Sequence, residues 1–485
     1  MILPWNPSLA GTLKRILMSE HSARPEKPLD ILVLAAGLGT RMKSRQAKVL
    51  HQLGGRPLIV HVCRTAASLN PRMMYVVIGY QAEEVRAAVE SEFGNAQVKF
   101  VNQLEQRGTG DAVTAARDAL AKADSTILIL SGDVPMVRAE TLRKLIRQHA
   151  VDNTPCTMLT VRLENPTGYG RVVRDEAGRF VKIVEQRDAT EDERQLREVN
   201  AGIYCFESQK LFAALARVKP VNKQGEYYLT DVPRILRDEG HEVGMFQHHD
   251  AREVSGVNTR AELAEFENLL RRGTIRRLML DDGVTFIDPS HSYISSEAQV
   301  GRDCVIHPNV HVEGKSTIGE GCEIHQGSRI SNSRLGNRVL VKDHCVIIDS
   351  EIADDCTVGP YAHLRMNARM EERAVVGNFV EVKKSRIGRG TKTMHLTYLG
   401  DATIGEDTNI GAGTVTCNYD GKHKHPTVIG SRVRIGSDTM LVAPVQVGDD
   451  AVTAAGSVVT EDVPPNTLVA GVPAKIKKKL DEEAQ

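Results

Sequence analysis

At 485 residues the chain can hold two large domains or three ordinary ones and bury a sizeable core. Its 62 basic and 62 acidic residues cancel, so no global field calls for nucleic acid or a membrane surface. Aromatic residues make up 4%, too few for the stacking platforms that bind single strands, and no apolar run approaches membrane-spanning length.

Residues 1–28 contain Pro4, Pro25 and Pro28 and little periodicity. They lack the continuous apolar segment of a signal peptide and read as a disordered extension, with Met18 an alternative start and a partner-binding arm the functional alternative. The eight scattered cysteines include no Cys-x-x-Cys pair and read as reduced thiols of a cytoplasmic protein. A buried strand is expected over 31–34, running into Ala35-Ala36-Gly37-Leu38-Gly39-Thr40-Arg41-Met42. Glycines let backbone N–H groups approach an anion, and Arg41 and Lys48 can neutralise phosphate oxygens. The third glycine of the dinucleotide fingerprint and a Gly-Lys-Ser/Thr ending are both absent, so neither motif fits. The stretch reads as a loop that grips a nucleoside triphosphate; a tight strand-to-helix turn is the plainer alternative.

Strands at 73–78, 98–101 and 126–130 alternate with helices at 57–69, 81–92 and 111–122, which predicts a parallel sheet with helices on both faces. Ligands then sit beyond the carboxyl ends of the strands. There lie Gln103 and Gln106, whose amides can read a base edge, with Gly108 and Gly110 leaving room for a flat ring. The alternative is a polar loop capped by Thr109. Asp133, just past a buried strand, suits a divalent metal beside phosphates or a helix cap. A hairpin is expected around Asp175-Glu176-Ala177-Gly178, with Glu185 at its end. A further strand covers 199–204 with Asn200 near its start, 225–231 opens a helix, and Asn258 could supply a second metal oxygen. One long helix, 259–280, carries Leu263, Phe266, Leu270 and Leu278 at helical spacing, and Gly283 ends it. It reads as a linker, 259–282; Arg271, Arg272, Arg276 and Arg277 are offset by acidic neighbours, which argues against a nucleic-acid recognition helix.

From residue 283 the chain counts in sixes: Val300, Ile306, Val312, Ile318, Ile324 and Ile330, then Leu340, Val346, Ile352, Val358, Leu364, Met370, Val376 and Val382, then Ile429, Ile435, Leu441 and Val447. Six is the signature of a parallel β-helix, and three hexads per triangular coil give roughly ten coils. The count slips between Ile387 and Ile404, around Met394-His395-Leu396-Thr397-Tyr398-Leu399-Gly400-Asp401, and between Ile410 and Ile429, where Cys417-Asn418-Tyr419-Asp420-Gly421-Lys422-His423 reads as an extruded loop. Arg365 and Lys383, one residue past aliphatic positions, are expected to project outward near corners. His423-x-His425 lacks a third ligand nearby and reads as a solvated loop rather than a metal site.

In order, the motifs of residues 29–258 resemble the nucleotidyltransferases that couple a nucleoside triphosphate to a sugar phosphate. They are most similar to the uridylyltransferase half of the bifunctional N-acetylglucosamine-1-phosphate uridylyltransferase/glucosamine-1-phosphate N-acetyltransferase family. That resemblance implies an α/β Rossmann-like domain in which Leu34, Ala35, Ala36, Gly37, Gly39, Thr40, Gln103, Gln106, Gly108 and Thr109 hold the uridine nucleotide. Arg41 and Lys48 would be catalytic, Asp133 and Asn258 would bind Mg²⁺, and Gly170, Glu185 and Asn200 would hold the amino sugar. Ala47 stands where the family usually has proline, and Ser131 where some relatives carry tyrosine. His-Leu-Thr-Tyr-Leu-Gly-Asp and Asn-Ile-Gly-Ala-Gly-Thr-x-Thr-x-Asn-Tyr-Asp-Gly resemble the acetyltransferase half, which implies a left-handed β-helix over 283–475 and a homotrimer. By the same resemblance His395 is the general base, as a side chain titrating near neutral pH can be. Arg365, Lys383, Tyr398 and Asn409 would hold glucosamine 1-phosphate. Ala412, Asn418, Tyr419, Ser437 and Ala455 would line the site of the co-substrate acetyl-CoA. Gly471 replaces an arginine that contacts coenzyme phosphates in some members; Lys475 or residues 477–479 of the 476–485 tail are the candidates to substitute. The implied substrates are UTP, glucosamine 1-phosphate, N-acetylglucosamine 1-phosphate and acetyl-CoA, and the product UDP-N-acetylglucosamine is an envelope precursor. A single-activity nucleotidyltransferase with a structural solenoid and a non-catalytic trimeric scaffold are the two alternatives.

Overall fold

A computed structural model describes residues 27–94 and 97–479; the readings made for 1–26 and 480–485 lie outside the described residues. Two compact units divide at Phe266/Glu267, inside the helix Arg260–Leu280.

The first unit is built on a sheet whose strand order is Val243–His248, Cys156–Arg162, Glu198–Glu207, Thr126–Ser131, Leu29–Leu34, Met73–Ile78, Val98–Asn102. Only Glu198–Glu207 runs against the others. The central strand is buried on both sides, as in a sheet sandwiched by helices. Ile31 and Val33 face one apolar layer, with Val62 and Val85 from Leu58–Ala67 and Ala82–Phe93. Leu32 faces the other, with Val113, Leu211 and Phe212. The helix expected over 111–122 is two short ones, Thr109–Thr114 and Arg117–Leu120, broken at Ala116. The break lets Val113, Ala116 and Leu120 all bury. The hairpin Arg171–Arg174/Phe180–Val184 joins the sheet through Val199. An irregularity between Asn200 and Tyr204, with Gly202 at φ 72°, re-aims the start of Glu198–Glu207.

The second unit is three sheets of 12, 10 and 9 short strands, parallel throughout except for the last strand of the first sheet and visited in turn. Face one begins at Thr285–Phe286, face two at Tyr293–Ile294 and face three at Gln299–Val300. Each hexad buries two side chains, an aliphatic one on the strand (Ile306, Val312, Ile318, Ile324, Ile330) and a small one two residues earlier (Cys304, Val310, Ser316, Cys322, Ser328). The middle of the repeat is shifted from its expected frame. Leu340 and Val346 are half-buried, and Val341 and Ile347 fill the core. The cause is a shortened corner between faces two and three. Ile330 to Leu335, Ile347 to Ile352, Val382 to Ile387 and Leu399 to Ile404 are steps of five, each turned by one left-handed residue, Asn332, Asp349, Lys384 or Asp401. The expected slip between Ile387 and Ile404 is likewise no break in the coil. Thr393 takes the inner position there, its shape matching valine, and Leu399 takes the next. The loop after Cys417 does leave the coil, as a small hairpin closed by a Tyr419–Lys424 bridge. Ile275 and Leu278, from the second half of the helix, share the core of this unit with Val284 and Phe286, so that part of the expected linker belongs to the prism. Among the described residues no helix is long and apolar enough to cross a membrane.

Candidate active sites

In the first unit the site is assembled at strand ends. Ala35 N donates to Val77 O (2.9 Å), Gly132 N to Leu34 O (2.9 Å) and Tyr80 N to Ala36 O (3.3 Å), which pins residues 34–36 between neighbouring strands. Gly37 faces open space. Gly39, at φ 63°, lets the stem of Lys48 approach so closely that a Cβ would lie 2.4 Å from Lys48 Cβ. Thr40–Met42 forms a single 3₁₀ turn and turns Arg41 outward.

Lys48, Arg41, Asp133 and Asn258 meet here from four separate segments. The Lys48 ammonium pairs with the Asp133 carboxylate and donates to Asn258 Oδ1 (3.1 Å). Arg41 Nη2 donates to the same amide oxygen (2.8 Å). Asp133 is buried, and Ser131 Oγ donates to its Oδ1 (2.5 Å). Burial pushes the Asp133 carboxyl up, but the Lys48 charge and the hydrogen bonds from Lys48 and Ser131 outweigh it and hold the group below the usual carboxylate range. Val257 N donates to Asp133 O (2.9 Å), and Glu262 Oε2 accepts from the backbone N–H of Asn258 (2.7 Å) and Thr259 (2.8 Å). A carboxylate and an amide oxygen that already converge on one cation are a donor set that fits a small divalent ion.

Gln103 is buried, and its Nε2 donates to Asp111 Oδ2 (2.8 Å) and Gly108 O (3.3 Å). Gln106 lies against Gly79. Thr109 Oγ1 accepts from Leu229 N (3.1 Å), and Gly110 N donates to Tyr227 O (2.8 Å), so this loop is stitched to 227–229. Gly170, Glu185 and Asn200 also come together. A Cβ on Gly170 would sit 3.2 Å from Glu185 Oε1, and Asn200 N donates to Gly170 O (2.9 Å). Thr230 Oγ1 donates to Glu185 Oε1 (3.2 Å). Burial pushes the Glu185 carboxyl up, against that hydrogen bond.

Three residues outside the motifs hold these groups in place: Glu262, Thr230 and Gln81. Ala47 has the φ of −56° that a proline would impose but keeps its N–H, and Gln81 Oε1 accepts from it (2.6 Å). Gln81 therefore fixes the residue before Lys48. The partners of Thr230 and Gln81 are distant in sequence, so only folding reveals them; Glu262 instead forms the Thr-x-x-Glu capping pair with Thr259, a signal the sequence carries.

In the second unit His395 ends the strand Lys392–His395, stacked in register on Asn378, and its ring is exposed. Its Nδ1 lies 2.7 Å from Asn378 Oδ1. With the carbonyl as acceptor, Nδ1 carries the proton and Nε2 presents a lone pair to solvent. Register places Ala412, Ser437 and Ala455 above His395 in one column, each two residues past an inward position, Ile410, Ile435 or Thr453. On face two Arg365 pairs with Glu381 (Nε to Oε1, 2.7 Å). Lys383, although it follows the inward Val382, is buried rather than exposed. It is 3% exposed, and its Nζ donates to Asp401 Oδ2 (2.9 Å), which also accepts from Asn418 Nδ2 (2.6 Å). The excursion of 418–426 covers it and brings Lys424 into contact. Asp401 pushes the Lys383 ammonium up against burial, and the like charge of Lys383 pushes Lys424 down. Tyr398 lies over Gly400, where a Cβ would meet its hydroxyl at 2.3 Å. Tyr419 is exposed, its hydroxyl donating to Gly421 O (2.7 Å). Asn409 stands apart on face one beside Lys392, and no hydrogen bond joins its side chain to Arg365, Lys383 or Tyr398. His425 pairs with Asp420 (2.7 Å). Lys475–Lys479 forms an exposed last strand, antiparallel to Thr467–Ala470.

Residues 31–202 match the MobA-like NTP transferase domain, residues 289–384 the GMPPB C-terminal domain, and residues 426–461 the bacterial transferase hexapeptide family (six repeats). The bifunctional protein GlmU of Heliobacterium modesticaldum is 48% identical over 437 residues, 90% of this chain and 94% of that protein. The GlmU proteins of Syntrophomonas wolfei and of a Geobacillus species are 43% and 45% identical, covering 91% and 92% of this chain and 96% of each relative.

Two outcomes follow from this geometry. Gln81→Ala leaves a buried N–H unpaired and lowers unfolding stability by about 1–3 kcal/mol. In that background Ala47→Pro removes most of the loss, as a denaturant double-mutant cycle will read. For Glu185 the folded carboxyl binds its proton more tightly than the unfolded one, so stability falls as pH rises from the unfolded pKa through the raised folded one. Glu185→Gln abolishes that decline and is the more stable form at neutral pH, measurable as Tm against pH.

Proposed function

Because this chain belongs to the family of bifunctional GlmU proteins, we propose that its two units carry two successive group transfers on one amino sugar, residues 283–475 the first and residues 29–258 the second. The chain is a glucosamine-1-phosphate N-acetyltransferase and an N-acetylglucosamine-1-phosphate uridylyltransferase, and its product is UDP-N-acetylglucosamine for cell-wall synthesis.

In the acetyl transfer the 2-amino group of glucosamine 1-phosphate attacks the thioester carbon of acetyl-CoA. His395 Nε2 takes the amine's proton, while Asn378 keeps the other nitrogen protonated and the ring oriented. The C–S bond breaks, and the coenzyme leaves as the thiol. The cationic group Arg365, Lys383 and Lys424 receives the sugar phosphate, with Tyr398 and Asn409 completing the sugar site. The coenzyme runs along the column Ala412, Ser437 and Ala455, where small side chains leave room, with Asn418 and Tyr419 at its side.

In the uridylyl transfer a phosphate oxygen of N-acetylglucosamine 1-phosphate attacks the α-phosphorus of UTP, and pyrophosphate leaves. The nucleophile is already anionic, so the work is positioning and charge compensation. Arg41 and Lys48 take up charge on the triphosphate, residues 34–40 with Gln103, Gln106, Gly108 and Thr109 hold the nucleotide, and Gly170, Glu185 and Asn200 orient the sugar. Asp133 and Asn258 would hold Mg²⁺, which when bound draws negative charge off the phosphates.

We assign the active form to a homotrimer in the cytoplasm. The rings of His344, Tyr361 and Phe379 stack at 5.1 and 5.3 Å along one edge of the prism, with Tyr361 and Phe379 more than half exposed, which supports burial against another copy. Eight free thiols, all but Cys417 buried, support a reducing compartment.

The observation that carries the reading is the exposed ring of His395, its Nδ1 against Asn378 Oδ1, at the foot of the small-residue column. His395→Ala abolishes CoA release from glucosamine 1-phosphate and acetyl-CoA, and leaves pyrophosphate release from N-acetylglucosamine 1-phosphate and UTP unchanged. Retained acetylation assigns the base elsewhere.

A further inference from the structure

We infer that the prism carries a transition-metal site made by His307, Glu323 and His325, separate from both reaction sites. One ligand atom from each lies within 4.8 Å of the other two, and no other such group of three occurs among the described residues. Glu323 Oε1 is 3.2 Å from His307 Nε2 and 3.1 Å from His325 Nε2. The imidazole centroids are 4.7 Å apart.

The repeat itself enforces this placement. Val305–Ile306 stacks in parallel register on Glu323–Ile324, so the residues that follow, His307 and His325, fall one above the other on consecutive coils. Their backbones are fixed by the ladder: His307 N donates to Ile324 O (3.0 Å) and His325 N to Val341 O (2.8 Å). Strand alternation sends Ile324 inward and Glu323 and His325 outward on either side of it. Three outward side chains therefore converge without any loop having to order itself. The imidazole side chains are about one-third exposed or less (30% and 27%) and Glu323 is half exposed, so an ion can enter and keep water on its open positions.

The donor set selects the ion. Two imidazoles and one carboxylate match Zn²⁺ and its neighbours in the first transition row, whereas Mg²⁺ and Ca²⁺ call for oxygen alone. Ligand separations a little above 3 Å are those of donors about 2 Å from a common ion. Behind His325, Asp343 Oδ2 lies 3.7 Å from Nδ1, where a carboxylate can orient a metal-bound imidazole and keep that nitrogen protonated. An ion here joins two successive coils and stabilises the prism through binding to the folded form.

The test uses the full chain, stripped with a chelator and held in excess Mg²⁺ to occupy oxygen-rich sites. Zn²⁺ is titrated against a chromophoric competitor, and Co²⁺ is followed by its visible absorption. The expected result is one ion per chain, a Tm that rises with occupancy, and a nitrogen-ligated Co²⁺ spectrum. Affinity falls about tenfold or more in His307→Gln and in His325→Ala, both of which keep the metal-free Tm, and stays unchanged in His423→Ala. Equal Zn²⁺ affinity in wild type and His307→Gln, or a loss confined to His423→Ala, overturns the proposal.

Discussion

The carboxylate of Asp133 is almost out of reach of water, and the ammonium of Lys48 is what makes that tolerable. Breaking such a pair by removing one partner costs about 3–5 kcal/mol, because a buried charge is left alone. Much of the first unit serves this contact. Gly39 clears space for the Lys48 stem, Gln81 fixes the residue before it, Ser131 and Val257 hold Asp133, and Glu262 holds Asn258 by its backbone. The same oxygens that steady the ammonium are those suited to a divalent ion. A site that balances one cation when empty can exchange it for another when a triphosphate brings its own charge.

The prism works under a different constraint. Its interior accepts only an aliphatic side chain and, two residues earlier, a small one from each hexad, so chemistry is confined to the outward side chains. The corner after face one carries His395 and the small-residue column. The corner after face two is the variable one, shortened by a residue in four coils and expanded once into 418–426. That expansion brings Asn418 onto the Asp401 carboxylate that Lys383 also holds and sets Lys424 beside Lys383, so one irregularity creates a polar cluster that the repeat alone lacks.

Much of this was legible in the sequence because both folds announce themselves by period. Two-sided burial marks the strands 31–34, 73–78 and 126–130, and the six-residue count marks the prism. The site loops follow from strand ends and from the two places where polar residues interrupt aliphatic ones. What escaped had a physical reason in each case. Leu340 and Val346 are aliphatic and look like core, but a corner shortened at Asn332 moves the inward frame to Val341 and Ile347. Thr393 fills an apolar slot that a count of aliphatics skips. Lys383 sits at an outward position and is buried only because a distant loop closes over it. Gln81, Asn378 and Asp401 act through partners far along the chain or on the next coil, and nothing local distinguishes them, whereas Glu262 is marked locally by the Thr259-x-x-Glu262 capping pair.

The account rests on a cation position shared by Asp133 and Asn258. Binding of Mn²⁺ to the full chain in the presence of UTP, followed by the loss of its free-ion electron paramagnetic resonance signal, tests it directly. The prediction is that wild type takes up Mn²⁺ and that Asp133→Asn, with its prism and acetyl transfer intact, loses that uptake. Undiminished Mn²⁺ binding by Asp133→Asn would contradict the account.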